Sequence, residues 1–168
     1  VGHERSKAAL SSFIDSFEFT VDAKGRFSIP APVREGLASS ADETFVVSRG
    51  PEGCLEAYPL DEWARRVRVL RSIPNKRLGR YYKRLILGNA KRCRMDSHHR
   101  ILVPPELLRS VGIGKTVLIL GQLDHLEFWS PEAHRAYVDA QQIPLEDVLE
   151  EIETQLREDR TRRPDDEW

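Results

Sequence analysis

The stretch FTVDAKGRFSIP, from Phe19 to Pro30, returns 74 residues later as CRMDSHHRILVP, from Cys93 to Pro104. In each copy an Asp stands four residues before an Arg (Asp22 and Arg26, Asp96 and Arg100). Three apolar or small residues follow, and a Pro then introduces a short helix-like run. The likeness continues outward. Phe45 to Ser48 matches Val117 to Leu120, and CLEAY (Cys54 to Tyr58) matches HLEFW (His125 to Trp129), where shorter loops have reduced the offset to 71. A repeat of this length means that one supersecondary unit is used twice, so the surface it carries should also occur twice.

Alternation over Phe17 to Val21 predicts a half-buried strand. Asp22 to Gly25 predicts a turn, Asp through its side-chain acceptor and Gly25 through positive φ. Arg26 to Pro30 is the expected return strand, which puts Lys24 and Arg26 at a hairpin tip. Val33 to Leu37 supports a helical turn or two. Glu43 to Ser48 and Cys54 to Tyr58 make a second hairpin around RGPEG (49–53). Leu60 to Ile73 has helical spacing, opened by Pro59 or Asp61 and ended by Pro74. Asn75 to Leu87 predicts another helix, capped by Asn75 and closed by Gly88 and Asn89, with Leu78, Tyr81, Tyr82, Leu85 and Ile86 as its packing side. The β unit then repeats, with strands over 91–96 and 100–104, a short helix from Pro105, a hairpin over 116–129 and a helix from near Pro131. Residues 144–156 predict an acidic amphipathic helix, and the charged tail from Arg157 is expected to end in disorder.

Composition bounds the class. The chain has 168 residues, 40% of them hydrophobic and 32% charged. That fits a soluble α+β protein of two halves, each of about 50 residues and marginal alone, so the halves should share a core. The expected divisions are a first half over 13–90 with two basic helices, a second over 91–156 with acidic helices, and the tail 157–168. There is no apolar run of membrane-spanning length. The N-terminal segment lacks the apolar centre of a secretory signal. Cys54 and Cys93 make neither a disulfide framework nor a metal site and are expected to pack in strands. A cytoplasmic location follows as an expectation. The net charge of −1 conceals strong segregation: residues 64–94 hold twelve Lys/Arg and no acid, whereas residues 124–168 hold fourteen acids and five basic residues. One part could therefore bind a polyanion, or the basic and acidic helices could pair within or between subunits.

The candidate site lies at the two turns. Lys24, Arg26 and Arg34 gather near the first, and His98, His99, Arg100 and Arg109 near the second. Arg can donate to phosphate or make two parallel hydrogen bonds to guanine in the major groove, which admits a two-stranded ribbon. The plainer reading is that Asp22 and Asp96 only pin their turns through the arginines. Exposed ion pairs contribute about 0–1 kcal/mol, so stability alone is a weak reason for the pattern. The two readings coexist if the Asp residues orient the Arg residues. His98 and His99 lack a third ligand, so no metal is expected; histidine suits a pH-sensitive contact. GIGKT (112–116) lacks P-loop spacing. Neither a cofactor nor a small-molecule substrate is expected, and no residue constellation supports an enzyme.

DAKGR (22–26) with Pro30, LEAY (55–58), LILG (85–88), Cys93, Met95 and Asp96, and LGQ (120–122) together resemble the MraZ family of bacterial transcriptional regulators, over roughly Phe13 to Trp129. The doubled D-x-x-x-R motif carries the resemblance; one copy would indicate only the wider AbrB-like group. The resemblance implies a duplicated AbrB-like swapped-hairpin β-barrel, pseudo-dimeric within one chain, with flanking helices. It also implies a ring-like homo-oligomer that binds repeated promoter boxes of the division and cell wall gene cluster, nucleoid-associated, with double-stranded DNA and itself as partners. The motif carries over fully onto Asp22, Lys24, Gly25 and Arg26. In the second copy it carries over onto Asp96 and Arg100 only, with His98 and His99 replacing the cation and the Gly. Asp15 also stands where relatives tend to have Gly. The competing expectation is a scaffolding homo-oligomer with incidental DNA binding.

Overall fold

A computed structural model describes residues 10–162. In chain order the elements are β1 (Ser16–Thr20), β2 (Arg26–Ser28), α1 (Ala31–Gly36), β3 (Thr44–Arg49), β4 (Leu55–Pro59), α2 (Leu60–Ser72), α3 (Arg77–Asn89), β5 (Lys91–Arg94), β6 (Arg100–Leu102), α4 (Pro105–Arg109), β7 (Thr116–Gly121), β8 (Leu126–Trp129), α5 (Pro131–Gln141) and α6 (Leu145–Arg162). The fold is α+β. It divides into two units, one ending at His134 and the other starting at Arg135.

The first unit is built around an antiparallel six-stranded sheet in the order β1-β7-β8-β4-β3-β5, with a separate two-stranded ribbon of β2 and β6. Exchanging the repeats (β1 for β5, β3 for β7, β4 for β8) leaves the sheet order unchanged when read from the other end. The pseudo-twofold passes between Glu56 and Glu127, which face each other in the register of β4 and β8. In the ribbon it passes between Phe27 and Ile101. The hairpins β3–β4 and β7–β8 form as expected.

The first hairpin does not form. β1 runs along β7, with Ser16 opposite Leu120 and Thr20 opposite Thr116, while β5 runs along β3. Each repeat thus lends its first strand to the other repeat's hairpin, and the turn at Asp22–Gly25 is a corner from sheet to ribbon. Local alternation specifies a strand but not its partner. The matching segment of the second repeat offers the same hydrogen bonds and lets both copies bury their apolar residues together.

That burial produces a single core spanning both repeats. From the ribbon come Phe27, Ile29, Ile101 and Val103; from the sheet come Phe45, Val47, Leu55, Val117, Ile119 and Phe128; and Val33 and Leu107 close it from α1 and α4. Phe27 meets Phe128 edge-on, with ring centroids 5.1 Å apart. Cys54 and Cys93 are buried strand-region residues, as expected, and burial pushes their thiols up to about 12 and about 11.

The helices differ from expectation in detail. α2 spans Leu60–Ser72, with Pro59 at its N-cap. α3 starts two residues later than predicted and Asn75 does not cap it with its side chain; its carbonyl accepts a hydrogen bond from Arg80 at 2.8 Å. Gly88 lies within α3, and Ala90 ends it. The Pro74 corner folds closely over the helix at Gly79, where a Cβ would stand 2.2 Å from the Pro74 carbonyl oxygen. Only part of the predicted packing side is packed: Ile86 is buried, whereas Leu78 is 72% and Tyr81 59% exposed. α6 continues through Arg162, six residues past the predicted end; residues 163–168 of the charged tail lie outside the described residues.

Phe27→Ala removes a ring at the centre of the shared core, so it should destabilise the protein by about 3–5 kcal/mol. Urea unfolding should show one transition at lower midpoint, because the same core serves both repeats.

Candidate nucleic-acid interface

Each motif folds its own turn around a carboxylate. The Asp22 Oδ1 accepts backbone N–H bonds from Lys24 and Arg26, both at 2.9 Å, and its Oδ2 accepts the Arg26 Nε–H at 2.7 Å. The second turn repeats this: the Asp96 Oδ1 accepts the His98 N–H at 2.8 Å and the Arg100 N–H at 3.0 Å, and Oδ2 accepts the Arg100 Nε–H at 3.1 Å. Backbone bonds close both loops: the Asp22 N–H donates to the Arg26 carbonyl and the Gly25 N–H to the Asp22 carbonyl, with equivalent bonds at Asp96, Arg100 and His99. The Arg26 N–H bond is the largest of the influences holding the Asp22 carboxyl below its ordinary value, with burial opposing; the Arg100 N–H does the same for Asp96. Both Asp residues therefore stay charged at neutral pH and fix the Nε edge of an arginine, leaving its terminal nitrogens for a partner.

The missing glycine does not change the second turn. His99 takes the left-handed backbone, φ 59°, where Gly25 has φ 89°. Gly25 is the more constrained: a Cβ there would stand 2.4 Å from the Val103 carbonyl oxygen. Asp15 likewise holds φ 82°, the backbone that a glycine adopts most readily. Its Oδ1 accepts the Ser16 N–H at 2.7 Å.

The ribbon joins the two copies. Its register sets Arg26 opposite Leu102 and Ser28 opposite Arg100. Alternate residues and directly opposed residues share a face, so these four side chains lie together while Phe27 and Ile101 point to the core. Arg26 and Arg100 are diagonal neighbours, about 7–8 Å apart for this geometry and within reach of long side chains. The pairing continues past the ribbon through the Val103 N–H to the Gly25 carbonyl and the Ile29 N–H to the His99 carbonyl. Lys24 and His98 are exposed in the two loops, which emerge at opposite ends of the ribbon.

Of the flanking basic residues, Arg34 donates from Nε to the Ile29 carbonyl at 3.2 Å and lines, with His99, a groove of about 260 Å³. It therefore belongs beside the second turn rather than the first. Arg109 is exposed in the last turn of α4. Ser28 and the 53% exposed Leu102 are members of the face that motif reading missed. Alternation from Arg26 and from Arg100 could have found them, once the two segments were paired. Among the described residues, no group of three or more metal-ligating side chains gathers, and no helix is long and apolar enough to cross a membrane.

A family model described as "MraZ protein, putative antitoxin-like" matches residues 13–77 and 86–156, one match for each repeat. The chain belongs to the MraZ family. Among its relatives, a protein of Caldanaerobacter subterraneus subsp. tengcongensis named Transcriptional regulator MraZ is 35% identical over 138 residues, covering 82% of this chain and 94% of its own. One of the same name from Burkholderia cenocepacia is 38% identical over 117 residues, 70% of this chain and 81% of its own. Another, from Lachnoclostridium phytofermentans, is 35% identical over 120 residues, 71% and 82% of the two chains. The two MraZ matches fall on either side of residues 78–85, the middle of α3.

Two outcomes follow from the turns. Gly25→Ala adds a Cβ against backbone in a left-handed conformation that itself costs roughly 1–2 kcal/mol. It should lower stability clearly in urea unfolding, whereas His99→Ala, an exposed change at a position that already has a Cβ, should stay within about 0.5 kcal/mol. Because both carboxyls are held below their ordinary value of 3.8, the order they confer is complete above that pH and is lost as pH falls through their lower folded-state values. The amide resonances of Lys24 and Arg26 should titrate with Asp22, and those of His98 and Arg100 with Asp96, with midpoints below 3.8; midpoints at or above it contradict the assignment.

Proposed function

We propose that this chain is a sequence-specific DNA-binding transcriptional regulator with no catalytic role. The observation that carries the reading is the placement of Arg26 and Arg100 on one exposed ribbon face, each held at Nε by its own Asp. A fixed guanidinium loses less rotamer freedom when it meets a phosphate or a guanine edge, which favours Arg for bidentate recognition. A two-stranded ribbon is of a size that the major groove admits. In this reading Arg26 and Arg100 contact DNA from the centre of the face, Lys24 and His98 with His99 contact it from the loops, and Asp22 and Asp96 orient without touching it. The exchange of β1 and β5 between repeats supports the AbrB-like swapped-hairpin architecture.

One such face covers few base pairs, so several copies must act at neighbouring boxes, and linking them raises affinity without new contacts. The resemblance supplies the finer reading: repeated promoter boxes of the division and cell wall gene cluster, bound by a ring-like homo-oligomer in the cytoplasm at the nucleoid. The relatives named transcriptional regulators support the DNA-binding part of it.

Arg26→Ala should weaken binding to promoter DNA by at least about tenfold, about 1.4 kcal/mol, with the sedimenting mass unchanged. Arg100→Ala should weaken it to a similar degree, because the two turns share one geometry. Gel shifts against promoter and scrambled duplexes at one fixed salt concentration check both. Unchanged affinity for the Arg26 variant removes the ribbon face from the interface, and equal wild-type affinity for the two duplexes favours a scaffolding oligomer.

A further inference from the structure

Helices α3 and α6 carry apolar stripes of the same spacing and opposite charge. On α3, Leu78, Tyr81, Tyr82 and Leu85 follow at i, i+3, i+4 and i+7 and so share one face. Leu78 and Tyr81 are mostly exposed, and exposed Arg77, Arg80 and Arg84 surround them. Grooves of about 360 Å³ and 440 Å³ both use Tyr81 as a wall. The larger is rimmed by Arg49 and Arg66, with Tyr82 and Leu85 on its apolar side and Glu56 also lining it. On α6, Leu145, Val148, Leu149 and Ile152 repeat the same spacing, 68%, 39%, 54% and 46% exposed. Glu146, Asp147, Glu150, Glu151 and Glu153 surround them, and residues 136–156 contain no Lys or Arg. Each stripe is about 10 Å long, seven residues at the helical rise.

Exposed apolar rows of this kind, rimmed by charge, mark interaction surfaces. A nucleic acid would answer the arginines of α3 but leave Leu78 and Leu85 without an apolar partner. An acidic amphipathic helix answers both.

We infer that α6 of a second copy of this chain docks along α3, its leucine stripe on Leu78, Tyr81, Tyr82 and Leu85 and its carboxylates among Arg77, Arg80 and Arg84. The inference rests on the self-association in the proposed function and names its interface. Donor and acceptor lie on different helices, so every copy offers both halves of the contact, and it can join two copies reciprocally or link copies in series.

Co-expression of two full-length chains, Tyr81→Cys and Leu149→Cys, tests this under mild oxidation. The buried Cys54 and Cys93 leave a quiet background. A disulfide-linked dimer containing one chain of each kind is expected, and none from either variant alone. Dimers of Leu149→Cys with itself mean that α6 pairs with α6 and overturn the inference. A bond formed only within a doubly substituted single chain, as a monomer, also overturns it. In sedimentation, Leu149→Asp with Ile152→Asp should lower the mass by at least about half, and Arg80→Glu with Arg84→Glu should do the same. If the mass of both variants holds and the arginine variant loses duplex binding, α3 is a nucleic-acid surface and the inference fails while self-association stands. A wild-type chain that sediments as a monomer removes self-association as well, and the promoter gel shift judges the DNA reading separately.

Discussion

The pairing of three residues with three residues, Arg26–Ser28 with Arg100–Leu102, is the contact on which the rest of the molecule turns. It is short, and few strands of this length are stable alone. It persists because the two residues on its axis, Phe27 and Ile101, are almost wholly buried in a core drawn from both repeats. The ribbon can form only if each repeat sends its second strand to the other. Its first strand must then complete the other repeat's hairpin. Strand exchange, shared core and shared face are thus one arrangement seen at three levels.

The same pairing creates the candidate interface. A turn that holds an arginine by two backbone bonds and one side-chain bond is a local device, and its energetic value at an exposed site is small. Two such devices on diagonal positions of one ribbon make a pre-oriented patch of two guanidinium groups, with an exposed leucine and a half-buried serine on the other diagonal. The Asp residues contribute mainly placement, since their bonds consume the Nε edge and leave the outer guanidinium edge outward. The candidate interface therefore depends on packing behind the ribbon as much as on the residues in front of it.

Charge segregation bears on the proposed assembly in the same way. The basic stretch over 64–94 supplies α2 and α3, and the acidic stretch supplies α6. Tyr81 and Leu78 were legible as an apolar helix side, but not that this side would lack cover. Helical periodicity reports that a face is apolar and cannot report what lies against it. The His98-His99 pair shows the converse. As a sequence it replaces the cation and the glycine of the first turn, yet His99 reaches the left-handed backbone that its position demands, and every bond of the first turn recurs in the second.

By itself the sequence determined the duplication, the turns, most helix and strand positions, and the identity of the Asp and Arg pairs. Each of these depends on neighbours within a few residues, where propensity, turn chemistry and periodicity act. Only the tertiary structure decided which strand pairs with which, that β1 and β2 part company at Asp22–Gly25, and that Arg26 and Arg100 share one face with Ser28 and Leu102. A backbone hydrogen bond is the same with any partner, so pairing is chosen by which arrangement buries Phe27, Ile29, Ile101 and Val103 together. That choice belongs to the whole core and is written in no single segment.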